Sequence, residues 1–204
     1  MRRASLAVAI LVLAGLACSS TKMVSTWKAP DFQRGSLRKI LVVGVFKADG
    51  MRETVEGQFV ELLKDENVEA AASNAFLPVA ELQREAVVQK VRDLQYDGVL
   101  LARIVDSTLE TKHYPAGDAA TQVNVGYYDD WYKDYVVSTE EVAAIGHTVQ
   151  SSGTARVETR LYSAKTQKSV WIALSETSID GREVSQIRGA VGKLVDRMVT
   201  SGIF

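Results

Sequence analysis

The chain has 204 residues, with 24 lysines and arginines against 25 aspartates and glutamates and a formal net charge of −1. This length suits one domain with a buried core, and a content of three prolines without any low-complexity tract excludes a disordered body. A charge balance of this kind gives no electrostatic indication of nucleic-acid binding, which normally needs a clustered basic face. Cys18 is the only cysteine, which excludes a disulfide within the chain.

The first residues have the layout of a secretory signal. Arg2 and Arg3 supply a positive start, an apolar run extends over residues 6–16, and small residues precede Cys18. The apolar run is shorter than the roughly 20 residues that a membrane-spanning helix needs. We therefore predict a signal peptide over residues 1–17.

The cysteine that ends this signal resembles the lipobox of bacterial lipoproteins, through the run Leu-Ala-Gly-Leu-Ala-Cys at residues 13–18. The resemblance implies cleavage before Cys18, a thioether-linked diacylglycerol on its sulfur, and a fatty acid such as palmitate on the new amino group. Ser19, in place of aspartate, resembles the signal that sorts lipoproteins to the outer membrane. Because two or more acyl chains anchor a protein stably, the resemblance implies a lipid-anchored protein on the periplasmic side of the outer membrane.

The remaining chain is predicted to consist of a tether and one periplasmic domain. Residues 18–38 are polar, contain Pro30 and Gly35, and lack apolar periodicity, which indicates a tether behind the acylated N-terminus. Trp27 is the exception within it and is expected to fold back onto the domain. The domain itself is predicted over residues 39–204.

The first half of the domain predicts alternating strands and helices. Continuous apolar runs at residues 39–46 and 99–105 are typical of strands buried on both faces, and a shorter strand is expected at 68–72. Apolar residues at helical spacing follow residues 49–50 and Pro78. The resulting order β-α-β-α-β implies parallel pairing with right-handed crossovers.

The second half predicts an antiparallel hairpin and a last helix. Residues 155–162 and 170–175 alternate between apolar and polar side chains on either side of a polar turn, which indicates a hairpin with one buried face. The predicted fold is α/β, with a parallel β-α-β-α-β core extended by this hairpin and a C-terminal helix packed on the sheet. A partner helix is the alternative use of the last helix's apolar stripe, which comprises Val184, Ile187, Val191, Leu194, Val195 and Met198.

This order of elements behind a lipobox resembles a group of small periplasmic bacterial lipoproteins of unknown function with an α/β domain like the TolB N-terminal domain. They are related in architecture to LpoB and CsgG. The residues that carry the resemblance are 18–20, 27–30, 39–45, 97–101 and 161–171. These motifs describe a fold and contain no catalytic signature, so the resemblance implies location and architecture.

The most unusual stretch lies between the two halves, at residues 114–135. It holds five of the seven tyrosines, together with Trp131 and interleaved aspartates. Aromatic side chains with polar tips are favoured in recognition surfaces, and rings flanked by carboxylates suit stacking on sugars. A strand or insertion whose tyrosines close one end of the core explains the pattern equally well. The candidate partner-binding residues are Tyr127, Tyr128, Trp131, Tyr132 and Tyr135.

The sequence contains no catalytic or cofactor motif that we identify. Residues 44–50 follow a predicted strand and precede a helix, where phosphates often bind, but their glycine spacing does not match a P-loop. We interpret Gly44 and Gly50 as shaping a tight turn. His113 and His147 are the only histidines and lack metal-ligand spacing. We therefore expect no cofactor, no metal site and no enzymatic activity.

These observations predict a non-enzymatic envelope lipoprotein that acts as a binding module. Lipid on Cys18 would hold the protein to the membrane, and residues 114–135 would bind a periplasmic protein or an envelope glycan. A self-assembling ring or secretion-system component is the alternative, and a hydrolase of glycan or peptidoglycan is a further one.

Overall fold

The structure is a computed structural model that describes residues 21–46, 49–111, 151–180 and 183–204. Within these ranges the chain forms a mixed sheet with helices on both faces. The strands are β1 (Thr21–Lys28), β2 (Lys39–Val45), β3 (Glu69–Ala72), β4 (Gly98–Thr111), β5 (Ser151–Ser163) and β6 (Ser169–Asp180). The helices are α1 (Asp49–Asp65), α2 (Arg84–Asp93) and α3 (Glu183–Thr200), with single 3-10 turns at Ser73–Ala75 and Val79–Glu81.

The strand order in the sheet is β1-β6-β5-β4-β2-β3. Strand β2 pairs in parallel with β3 and β4, whereas β4, β5, β6 and β1 pair with one another antiparallel. The predicted fold is confirmed: a parallel β-α-β-α-β core, an antiparallel hairpin beside it, and a C-terminal helix packed on the sheet. The crossovers through α1 and α2 run to opposite sides of β2, so right-handed connections place the two helices on opposite faces.

The larger hydrophobic core lies between one face of the sheet and helices α1 and α3. Strand residues meet helix residues across this layer, and Trp171 of β6 is fully buried within it. Burying one large apolar side chain contributes roughly 1.5–3 kcal/mol, so this layer supplies the main stabilising contribution. Its fully or almost fully buried members include Ile40, Val42, Leu100, Leu161, Phe59, Leu63, Leu194 and Met198.

A smaller core lies on the opposite face, beneath helix α2. Val87 and Val91 of α2 pack against Leu41 of β2, Leu101 of β4 and Tyr162 of β5. Because β2 is covered on both faces, the side chains on both of its faces must be apolar, which produces a continuous apolar run instead of an alternating pattern. This is the physical basis of the pattern that predicted a central strand.

The stretch predicted as a tether contains strand β1. Thr21–Lys28 pairs antiparallel with β6 and forms one edge of the sheet. The sequence concealed this strand because its last five side chains, residues 24–28, are all exposed and need no apolar periodicity. Trp27 was expected to fold back onto the domain. Its backbone does so by pairing with Ile172, but its side chain is 47 % exposed.

The hairpin of β5 and β6 differs from the prediction of one buried face. Leu161 and Trp171 face the larger core, but Glu158 and Arg160 on the opposite face of β5 are buried as well. Opposite charges that hydrogen-bond to each other can be buried where either charge alone would be too costly to desolvate. The polar residues that alternate with apolar ones in β5 were therefore not all exposed to solvent.

Helix α2 begins later than predicted. Pro78 is followed by the turn at Val79–Glu81, and the helix starts at Arg84. Leu77 and Leu82 on either side of that turn are both buried in the smaller core. A short turn brings both leucines inward before the helix begins, which a helix starting at Pro78 would not do.

Replacing Trp171 by alanine is expected to lower the free energy of unfolding by about 3–5 kcal/mol, because it leaves a cavity in the larger core. Trp27→Ala provides the matched control and is expected to lower that free energy by only about 1 kcal/mol, since nearly half of its side chain is exposed. Urea denaturation followed by far-ultraviolet circular dichroism measures both. Equal losses in the two variants would contradict the burial described for the two tryptophans.

Candidate functional site

The residues predicted to carry function lie outside the described residues. Cys18 precedes the first described residue, and Tyr127, Tyr128, Trp131, Tyr132 and Tyr135 belong to segment 112–150. Their acylation and partner binding therefore stay predictions. The structure does describe Thr111 and Ser151, the residues between which that segment is attached.

Strands β4 and β5 carry the two ends of segment 112–150. They pair from Gly98 opposite Ser163 to Thr111 opposite Ser151. Strand β2 accompanies β4 only as far as Arg103, so residues 104–111 of β4 continue for roughly 26 Å beyond it at about 3.3 Å per residue. Segment 112–150 is thus attached at both ends to the far end of the long β4–β5 pair.

A charged face extends over β4, β5 and β6 on the side of the sheet that carries α2. Its centre is the carboxylate of Glu158, which is directly opposite Arg103 in the register of β4 and β5. Residues two apart along a strand share a face, so Arg156 and Arg160 flank Glu158. We define the charged face as Arg103, Asp106, Arg156, Glu158, Arg160 and Glu176.

The centre of the charged face is a buried network of two arginines and one glutamate. Glu158 Oε1 accepts hydrogen bonds from Arg103 Nε at 3.1 Å, Arg103 Nη2 at 3.0 Å and Arg160 Nε at 2.8 Å. Its Oε2 accepts from Arg160 Nη2 at 3.2 Å. The charge-assisted bonds from Arg103 join β4 to β5 at the level where β2 ends.

The outer part of the charged face is a solvated chain of ion pairs. Arg156 Nη1 lies 3.7 Å from Asp106 Oδ2, and Arg156 Nε lies 3.0 Å from Glu176 Oε2. All three side chains are between 34 and 48 % exposed. Ion pairs of this exposure contribute about 0–1 kcal/mol each, so they favour solubility of this face more than its stability.

A second buried network lies at the carboxyl end of β2, where ligands bind in many α/β sheets. Here the position is taken by the carboxylate of Glu56 from α1. Its Oε1 accepts from the Gly44 backbone N–H at 2.7 Å and from Ser73 Oγ at 2.8 Å, and its Oε2 accepts from the Asn74 backbone N–H at 2.8 Å. We call these residues, with Arg52, the Glu56 cluster.

Arg52 completes the Glu56 cluster from one helical turn earlier. Its Nε donates to Glu56 Oε1 at 3.0 Å, and its Nη2 donates to Ser73 Oγ and to the Leu77 carbonyl, both at 2.8 Å. Arg52 and Glu56 are 2 % and 0 % exposed. The pair joins α1 to the ends of β2 and β3, so its role is to stabilise the fold. Sequence reasoning missed it, although a spacing of four on the buried side of a helix was its signal.

The Glu56 cluster also decides the role of Gly44. The interpretation of Gly44 and Gly50 as turn residues is wrong, because Gly44 lies in β2 and Gly50 lies in α1. A Cβ on Gly44 would lie 3.0 Å from the Phe46 ring and 3.3 Å from Glu56 Cγ. Glycine is therefore needed for close packing. Since the Gly44 N–H already donates to a carboxylate, a phosphate is disfavoured at this strand end.

The described ranges contain a small apolar cavity. A cavity of about 50 Å³ between α2 and the β4–β5 pair is lined by apolar residues such as Val91, Leu101 and Tyr162, whereas ligand pockets measure roughly 300–1,000 Å³. In the same ranges, no three His, Cys, Asp or Glu side chains are placed to hold a metal ion. None of the helices described there has the length and apolar character of a membrane span.

No protein-family model matches the chain, and no curated protein matches it significantly in sequence. Among solved structures, the chain is similar to the PelC dodecamer from Paraburkholderia phytofirmans at 11 % identity, over 86 % of this chain and 94 % of that one, with a TM-score of 0.49. It is also similar to lipoprotein GNA1162 from Neisseria meningitidis, at 12 % identity over 80 % and 96 % of the two chains, with a TM-score of 0.40.

A third similar structure is protein XCC0632 from Xanthomonas campestris, of family DUF330, at 9 % identity over 85 % of each chain with a TM-score of 0.32. All three scores are below 0.5, so we draw no functional conclusion from them. The resemblance to LpoB, CsgG and the TolB N-terminal domain stays a prediction.

Replacing Glu56 by glutamine is expected to lower the free energy of unfolding by about 3–5 kcal/mol, because it leaves Arg52 buried without a counter-charge. Glu61→Gln on the same helix is the matched control, since Glu61 and Arg188 form an exposed pair at 3.2 Å. Its loss is expected to stay within about 1 kcal/mol. Chemical denaturation measures both. An unchanged free energy of unfolding in Glu56→Gln would refute a stabilising role for the Glu56 cluster.

Proposed function

We propose that the protein is a non-enzymatic lipoprotein of the cell envelope, anchored to the periplasmic side of the outer membrane through lipid on Cys18. Its segment 114–135 binds a periplasmic protein or an envelope glycan. The observation that carries the binding proposal is the long β4–β5 hairpin, which holds both ends of segment 112–150 beyond the end of β2. A rigid hairpin reduces the ordering cost of a recognition segment attached to it.

The composition of the segment supports recognition. Tyrosine and tryptophan bring large contact area, few rotatable bonds and a polar tip, which is why they dominate binding hot spots. Trp131, Tyr128 and Tyr132 are the proposed anchors. Interleaved aspartates at 129, 130 and 134 would accept hydrogen bonds from sugar hydroxyls or from a basic protein surface.

The use of the buried charges favours a binding role over a catalytic one. Within the described ranges Glu56 and Glu158 are buried acids, and each accepts several hydrogen bonds that join secondary-structure elements. A carboxylate held in this way is committed to the fold. We therefore propose no reaction for the domain.

The lipid anchor is tested by metabolic labelling of the full-length protein with alkyne-palmitate. We expect the wild-type protein to incorporate the label and Cys18→Ala to lose it, because the thioether needs the Cys18 sulfur. Ser19→Ala is the neighbouring control and should keep the label. Equal labelling of the wild type and Cys18→Ala, or no label on either, would refute acylation at this residue.

Partner binding is tested by photo-crosslinking in cells from position 131, with Lys64 as the control position because it is exposed on α1. We expect a discrete adduct from position 131 and none from position 64. Mass spectrometry then identifies the partner. A second copy of this chain in the adduct would instead support the self-assembling alternative, and no adduct in membranes that contain acylated protein would contradict the proposal.

A triple variant strengthens this test. Replacing Tyr128, Trp131 and Tyr132 together by serine is expected to weaken capture of the identified partner at least about thirtyfold, since losing one hot-spot residue costs about 2 kcal/mol or more. Trp27→Ser removes an exposed aromatic side chain elsewhere and should leave capture unchanged. Thermal denaturation by circular dichroism confirms that each variant is folded before binding is compared.

A further inference from the structure

We propose that the domain lies directly on the lipid bilayer, with one defined end of its sheet facing the headgroups. This end, which we call the anchor end, lies beyond the register row of Thr21 in β1, Thr177 in β6, Ala155 in β5 and Ser107 in β4. The inference rests on the proposed acylation of Cys18. It adds the surface that meets the membrane and the orientation of the strands.

The first argument is the length of chain between lipid and sheet. Cys18 precedes Thr21 by three residues, and three fully extended residues span at most about 11 Å. The acyl chains therefore enter the bilayer within that distance of the first strand residue. A polar tether of about 20 residues, as predicted from the sequence, would have separated them by about 25 Å on average.

The second argument is that Thr21 is fastened to the sheet. It is 4 % exposed, and its Oγ1 lies 2.9 Å from Thr177 Oγ1 in a hydrogen bond. Lys193 Nζ of α3 also donates to the Thr21 carbonyl. Strand β1 then pairs with β6 along its length to Lys28. The attachment point is thus part of the folded domain, and only the three residues 18–20 separate the domain from the lipid.

The third argument is the direction of the hairpin. Beyond the register row of Thr21, β4 and β5 continue for residues 108–111 and 151–154, a further rise of roughly 13 Å. This rise is about equal to the reach of the three-residue link from Cys18. Thr111 and Ser151 therefore come to the level of the lipid headgroups. The partner in our proposed function would therefore bind close to the membrane surface.

The opposite end of the sheet faces the periplasm in this orientation. The turn between β5 and β6 lies there, since Ser163 is eight residues from Ala155 along β5, a rise of roughly 26 Å. Lys165 in that turn is exposed. Ser107 at the anchor end is also exposed and lies on β4, three strands away from β1. These two positions distinguish the ends without disturbing a buried side chain.

The test uses the acylated full-length protein in phosphatidylethanolamine–phosphatidylglycerol vesicles that contain a nickel-chelating lipid. Nitroxide labels are placed on Ser107→Cys and Lys165→Cys, the Cys18 thiol being blocked by its own lipid. We expect nickel to relax the label at position 107 several-fold more strongly than the label at position 165. A flexible Gly-Ser insertion of about 20 residues between Ser20 and Thr21 should remove this difference, because the domain is then free to reorient.

The outcomes separate this inference from the proposed function. Intact mass spectrometry establishes whether Cys18 carries lipid. If lipid is present and the two labels relax equally, or position 165 relaxes more, the orientation is wrong and the anchoring stands. If Cys18 carries no lipid, the proposed function fails and the inference fails with it. The same label difference before and after the insertion would also overturn the inference, since the short link would not be its cause.

Discussion

The constraint on which this structure depends is the pairing of β4 along both of its edges. One edge forms parallel hydrogen bonds with β2, and the other forms antiparallel bonds with β5. Buried backbone groups need such partners, so β4 joins the β-α-β-α-β half of the chain to the hairpin half. Leu100 and Leu101 contribute to the larger and the smaller core respectively. The two cores therefore share this strand.

Buried charges stabilise the regions where regular pairing ends. The Glu56 cluster lies where β2 and β3 end, and Glu158 with its two arginines lies where the pairing of β4 with β2 ends. In both, one carboxylate satisfies several donors at once, which makes its burial tolerable. The β4–β5 pair and the short parallel sheet are thereby held together, which is the property that the recognition segment of our proposal requires.

The edge strand β1 connects the fold to the membrane in our proposals. Its edge position leaves six of its eight side chains exposed. Its pairing with β6 places Thr21 near the end of the sheet beyond which β4 and β5 continue. Anchoring and recognition would then occur at the same end of the domain. The register of an edge strand, which no local property of its sequence reveals, decides this geometry.

The sequence by itself determined the strands and helices that bury apolar surface, because continuous and helical apolar periods are local patterns: β2, β4, the hairpin and α3 were predicted for this reason. It also supplied the lipobox and the aromatic segment, which lie outside the described residues and stay predictions. Only the tertiary structure decided that a polar stretch forms β1, that Arg52 meets Glu56 at the end of β2, and that Glu158 is buried. Polar and charged residues satisfy their groups through partners distant in the chain, and those partners are brought together only by the fold.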